Sequence, residues 1–189
     1  MRKLVTITLI IVANYSFAQP NTGKLQIERK GFVFGAGLGA GSLSLNTNDT
    51  ISTKFSTTLP NIKVGFMLNH RIALLALLTG ANYSYNGKDR GFEAIVISAQ
   101  YWVNDNWWVL GGTGLTIDAP AFYTVQEIKT ADFHTGLPAL TFATGYEVWR
   151  RKRFALDLQF RVFYGKSDLP NSGHRKGVSN MFIVGFNWY

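Results

Sequence analysis

The sequence predicts an all-β chain, an eight-stranded antiparallel up-and-down transmembrane β-barrel. Three observations predict it. Phe154–Tyr164 (FALDLQFRVFY) alternates strictly, with Phe154, Leu156, Leu158, Phe160 and Val162 on one face and Asp157, Gln159 and Arg161 on the other. Successive side chains of a strand point to opposite faces, and about 9–11 residues of this pattern cross a bilayer. Short and long connections alternate along the chain, as an up-and-down barrel requires. Finally, no apolar run approaches the roughly 20 residues of a membrane helix, while glycine (19) and aromatics (14%) are plentiful.

The N-terminus reads as an export signal over residues 1–18. Arg2 and Lys3 precede the apolar Leu4–Ala13, and Ser16-Phe17-Ala18 is a small-x-small cleavage site. Residues 19–30 are polar and read as a periplasmic lead-in to a barrel over 31–189. Gly31–Leu43 is the first strand. Its Phe32, Phe34, Ala36, Leu38 and Ala40 face one way, and a row of glycines (35, 37, 39, 41) faces the other. Glycine weakens strands, so a whole row of it indicates crowding, as inside a narrow barrel. GAGLGAG matches a dinucleotide loop only loosely, since no helix follows. Ser44–Thr57 reads as a polar loop and Pro60–Leu68 as the second strand, with Ile62, Val64 and Phe66 opposite Lys63.

Asn69–Arg71 is a tight turn. Ile72–Tyr85 is the third strand, apolar on both faces at first, which leaves its register open. After the loop Asn86–Gly91 comes Phe92–Val103, with Ile95, Ile97, Ala99 and Tyr101 outward and Ser98 and Gln100 inward. A turn at Asn104–Asn106 leads to Trp107–Ile117. Asp118–Gly136 is the longest loop. Leu137–Trp149 follows, with Glu147 opposed to Tyr146 and Val148. Arg150–Arg153 turns into Phe154–Tyr164, Gly165–Gly177 is a loop, and Val178–Tyr189 closes the set with Phe182, Val184, Phe186 and Trp188 in a row. Short turns therefore share one end, which places the longer loops outside the cell.

A water-soluble barrel would alternate equally well. Here, however, the less apolar face is mostly Gly, Ala, Ser, Thr and Asn, which suits a cramped lumen better than a wet outer wall. Tyr83, Tyr85, Tyr101, Trp107, Tyr146, Trp149, Tyr164 and Trp188 fall at strand ends, as interfacial aromatic girdles do. The inward faces supply a structural network of Lys63, Gln100, Glu147, Asp157, Gln159 and Arg161, with Asn187 near it. Eight strands leave an interior that side chains can fill. A plugged lumen is expected, and a narrow pore for small solutes is the alternative.

The formal charge is +8, gathered in turns and loops such as Arg150–Arg153, Lys88, Arg90, Lys166, Arg175 and Lys176. For an exported chain this suits lipid phosphates and not nucleic acid. The absence of cysteine excludes disulfides, thiolate metal sites, a cysteine nucleophile and a lipid anchor on the mature N-terminus. No cofactor or metal is expected, because Glu127, Asp132 and His134 show no diagnostic ligand spacing. No catalytic constellation is expected either. A lipid-modifying enzyme would have to use His134 or His174, and neither stands in a recognisable motif with a nucleophile.

The Gly-rich opening FVFGAGLGAG, the units IKVGFMLNHRIALLALL and YWVNDNWWVLGG, and the terminal VGFNWY carry a family resemblance. Over Gly31–Tyr189 the chain resembles the small eight-stranded outer-membrane β-barrels, the OmpA/OmpX-like "outer membrane protein β-barrel domain" group, in the form common in Bacteroidetes. One departure is that Tyr189 is out of phase with the apolar row ending at Trp188. The resemblance implies insertion into the outer membrane of a Gram-negative cell by its assembly machinery. Contact with outer-membrane lipids including lipopolysaccharide is expected from the basic rims, and Ala119–Tyr123 (APAFY) in the longest loop offers either a surface for a partner or a lid over the barrel mouth.

Overall fold

The computed structural model describes residues 28–47, 50–58, 61–85, 87–121, 133–170 and 173–189. The expected export signal and most of the polar lead-in lie outside these residues. Nine strands are present: β1 (Phe32–Thr47), β2 (Thr50–Thr57), β3 (Asn61–Asn69), β4 (Ile72–Tyr85), β5 (Lys88–Trp102), β6 (Trp107–Pro120), β7 (His134–Arg151), β8 (Phe154–Asp168) and β9 (His174–Trp188). All neighbours are antiparallel, and β1 pairs with β9 from Phe34↔Trp188 to Thr47↔Arg175. The ring so closed has eight members, β1 and β3 to β9. β2 is the upper piece of the second wall strand. It pairs with Ala40–Thr47 of β1, and β3 pairs with Phe32–Gly37 below it.

The segment Ser44–Thr57, expected as a loop, is thus largely a hairpin. Its hydroxyl residues suit a strand whose outside is not in hydrocarbon, and Ser44 Oγ meets Thr53 Oγ1 across it at 2.7 Å. The other outer loops shrink for the same reason. β5 begins at Lys88, β6 runs to Pro120, β8 to Asp168, and β9 starts at His174. At the opposite end the turns are tight. Asn69 Oδ1 accepts from the N–H groups of Arg71 and Ile72, and Asn104 Oδ1 does the same for Asn106 and Trp107. Both are Asx turns, which short polar side chains favour.

Side-chain burial gives the phase. On β8, Ala155, Asp157, Gln159, Arg161 and Phe163 are buried, whereas Leu158 is 54% exposed. The same inversion runs round the wall, with Leu38, Phe66, Ile97, Phe142 and Phe182 all exposed outward. Soluble monomers rarely expose contiguous apolar patches beyond a few hundred Å². A continuous apolar belt around a closed ring, with no strand edge left in lipid, is a membrane solution. The open register of β4 resolves with Ala73, Leu75, Leu77, Thr79, Ala81 and Tyr83 inward and Leu74 outward. A bulge between Glu147 and Trp149 turns both Val148 and Trp149 outward.

Candidate functional site in the barrel lumen

The inward residues form tiers, beginning at the short-turn end. Glu147 of β7 is fully buried and accepts three hydrogen bonds: Arg29 Nη2 (2.6 Å), Trp102 Nε1 (2.9 Å) and the Tyr189 hydroxyl (2.8 Å). The Arg29 guanidinium lies 4.7 Å from the Trp102 ring centroid and also donates to the Asp105 carbonyl. The out-of-phase Tyr189 is thus part of the floor, its ring edge-on to Trp102. Just below, Glu28 is held under the ordinary carboxylate range by its hydrogen bond to Lys30 and the charge of that ammonium.

The middle tier centres on Asp157. Its carboxylate accepts from Trp108 Nε1 (3.0 Å), Asn187 Nδ2 (2.9 Å) and Gln159 Nε2 (2.7 Å). Gln159 Oε1 accepts from Arg161 Nη2, and Arg161 Nη1 donates to Asn61 Oδ1 (2.6 Å) and Thr79 Oγ1 (3.2 Å). Lys63 Nζ donates to Gln100 Oε1 at 2.9 Å and sits 4.9 Å from the Trp108 ring centroid. A cavity of about 10 Å³ remains beside Asn61, Lys63, Arg161 and Asn187, room for one water molecule. Gly35 marks how tight this is, since a Cβ there would stand 2.6 Å from Lys63 Cε and 2.9 Å from Asn187 Oδ1.

Gly145 is tighter still, because its Cβ direction runs into the Trp108 indole. Gly145→Ala is expected to cost about 1–3 kcal/mol by overpacking. A urea titration of the folded barrel, read by tryptophan fluorescence, checks it.

Above this tier an apolar layer fills the bore. Phe92 and Phe163 meet at 5.7 Å between centroids, within a buried cluster that includes Leu43, Leu77, Met181 and Ile183. A third ionic tier caps it. Asp118, fully buried, accepts from Tyr83 OH (2.8 Å), Arg90 Nε (3.0 Å) and Arg175 Nη1. Arg175 Nη1 also donates to Tyr83 OH at 2.7 Å, and its Nε donates to Thr47 Oγ1.

Lys63, Gln100, Glu147, Asp157, Gln159 and Arg161 all lie on the inward face and are buried. Glu147 stands in the floor with Arg29, and the other five share the middle tier. The expected girdle needs one correction. Tyr83 points inward, because parity with Ala81 and Leu77 carries it to Asp118. Tyr101, Trp107, Tyr146 and Trp149 are exposed near the short-turn end, and Trp188 is half-buried beside Phe32. Tyr164 is half-buried on the outer wall, and the Tyr85 side chain lies outside the description. Polarity alone places Asp118, Arg90 and Arg175 in loops. Continuing each strand's parity one to three residues further places them inside: Asp118 follows Thr116, and Arg175 precedes Gly177 and Ser179. Of the histidines, His134 and His174 begin β7 and β9, and His174 Nδ1 lies 2.8 Å from Asp168 Oδ1 at the outer rim.

A closed ring of eight strands, apolar outside and polar within, defines a small outer-membrane β-barrel, and its place is the outer membrane. Solved structures of that class resemble it. Neisserial surface protein A is 17% identical with a TM-score of 0.59, the match covering 83% of this chain and 96% of that one. Ail, the attachment invasion locus protein of Yersinia pestis, is 10% identical with a TM-score of 0.46 over 82% and 99%. The outer membrane protein OprG of Pseudomonas aeruginosa is 9% identical with a TM-score of 0.43 over 87% and 98%. The first of these likenesses bears on the fold and on nothing finer. No protein-family model matches the chain, and no curated protein matches its sequence.

Proposed function

We propose that this chain is a non-enzymatic, non-conducting outer-membrane barrel whose work is done at its outer rim, in structural or surface interactions. The observation that carries the reading is the filled bore. Three hydrogen-bonded ionic tiers, with an aromatic layer beneath the uppermost, occupy the lumen, and space is left for about one water in the middle tier. Conduction would require moving Phe92 and Phe163 as well as the buried ions. In planar bilayers the folded protein is expected to give no discrete conductance steps. Reproducible steps from heat-modifiable, folded protein would overturn this reading in favour of a narrow pore. A pull-down from intact cells would then seek the surface partner.

The lipid contact has a specific candidate on the wall. Lys166 and Lys176 are register partners on β8 and β9, on the outward parity, one step above Tyr164↔Val178. Like charges directly opposite destabilise a sheet, and Asp168, 3.9 Å from Lys166 Nζ, offsets them only in part. A lipopolysaccharide phosphate at that level supplies the missing countercharge. Each basic residue near a charged membrane surface contributes about 1 kcal/mol. The double change Lys166→Gln, Lys176→Gln is therefore expected to weaken lipopolysaccharide retention about thirtyfold. Measuring lipopolysaccharide bound per folded barrel checks it.

A further inference from the structure

The wall of the barrel has a gap. The β3–β4 ladder runs from Asn69↔Ile72 to Ile62↔Leu78 and ends there. β4 continues through Thr79–Tyr85, paired with β5 on its far side. β2 stands opposite this stretch, but its ladder is to β1, and among the described residues none joins it to β4. Among the described residues a side-chain bond crosses the break, from Ser56 Oγ to the Asn82 carbonyl. The level is informative. Leu78 and Ile95, partners at the foot of the gap, end the apolar outward rows of β4 and β5, and the outward residues above are Gly80, Asn82, Ser84 and Glu93. An open backbone edge is not tolerated in hydrocarbon. At the headgroup level, where polar groups abound, it is.

Behind the gap lies a cavity of about 270 Å³. Leu43 and Leu45 line its β1 side, Ser52 and Lys54 its β2 side, and Tyr83 and Arg175 its base. Ser84, on the outward face of β4, lines it as well, so the cavity reaches through the wall. Phe92 and Phe163 close the bore beneath, and Thr47 and Thr50 at the end of the β1–β2 ladder line the cavity as well. Lys54 shares the inward face of Ser56, and among the described residues its ammonium has no carboxylate partner. On the outer face of β2, Phe55 and Ile51 are 80% and 70% exposed.

We propose that this pocket binds a single-chain amphiphile with an anionic head, taken sideways from the outer leaflet. The head lies against Lys54 and Arg175. The first methylenes lie on Leu43 and Leu45, and the tail leaves through the gap past Phe55 and Ile51. The volume lies just below that of drug-sized ligand pockets, about 300–1,000 Å³, which suits one chain and excludes the body of a multiply acylated lipid. The positive lining selects an anion through charge-assisted hydrogen bonds.

The test titrates the folded full-length barrel, in nanodiscs of zwitterionic lipid, with dodecanoate, dodecyl phosphate and dodecyltrimethylammonium, followed by calorimetry. Saturable binding of the two anions and none of the cation is expected. Lys54→Glu is expected to weaken the anions by about tenfold or more. Lys88→Glu, a rim charge outside the pocket, leaves them unchanged. Leu45→Trp fills the space without altering charge and abolishes binding. It decides the matter alone if Lys54→Glu does not fold by gel shift. Equal binding of the cation, equal effects of Lys54→Glu and Lys88→Glu, unaltered binding to Leu45→Trp, or no saturable binding to the wild type overturns the proposal.

Discussion

Replacing Glu147 with alanine is expected to destabilise the folded barrel by about 3–5 kcal/mol. The carboxylate is wholly enclosed and is the common acceptor for Arg29, the Trp102 indole and the Tyr189 hydroxyl. Its loss leaves a guanidinium with 7% side-chain exposure and no countercharge, together with two buried donors that have lost their acceptor. Glu147→Gln keeps one of the two acceptor oxygens but sets an amide N–H₂ against a donor in place of the other, so its cost should be smaller than that of alanine but still about 1.5–3 kcal/mol. Urea titrations of the barrel in lipid vesicles measure both. A double change with Arg29→Ala should cost less than the sum of its parts, since it removes the stranded charge along with the acceptor. Strict additivity would mean that the lead-in does not enter the floor of the membrane-inserted protein.

Placing arginine at Phe182 should cost about 2–4 kcal/mol, and at Val178 about 0–1 kcal/mol, because the penalty on a lipid-facing wall depends on depth. Phe182 is 71% exposed and pairs with Phe160, their rings 5.1 Å apart, in the middle of the apolar belt. Val178 lies on the same face one step from Lys176, close to the outer headgroups. Refolding into vesicles of fixed thickness, with urea midpoints compared, separates the two. Equal costs would mean that the outer wall faces water, and the membrane assignment would fall with them.

Which face of each wall strand meets lipid was legible in the sequence wherever one face was greasy. Two-residue periodicity is a local property of extended backbone, so Leu156, Leu158 and Phe160 had to oppose Asp157, Gln159 and Arg161. The same logic put Lys63, Gln100 and Glu147 on the inward side before any fold was known. It failed where the apolar row stops but the ladder continues. Above the bilayer a strand no longer keeps one face continuously apolar and resembles a loop, so the hairpin of β2, with only Ile51 and Phe55 apolar on its outer face, and the ionic cap of Asp118, Arg90 and Arg175 went unread. It failed again at Tyr83, whose strand-end position masked its inward parity, whereas Trp149 stands outward as expected although the bulge at Glu147 breaks the period there.

Partnership was beyond the reach of periodicity. Arg29 meets Glu147 across 118 positions, and Arg161 meets Asn61 across 100. Alternation says only that these groups point inward. Which of them touch depends on how the ring closes and on the register of every ladder between. Local stereochemistry, then, settled the class of fold, the side of the wall that faces lipid and the polar stock of the lumen. Closure of β1 on β9 decided how that stock pairs, and the break between β2 and β3 decided where the wall opens.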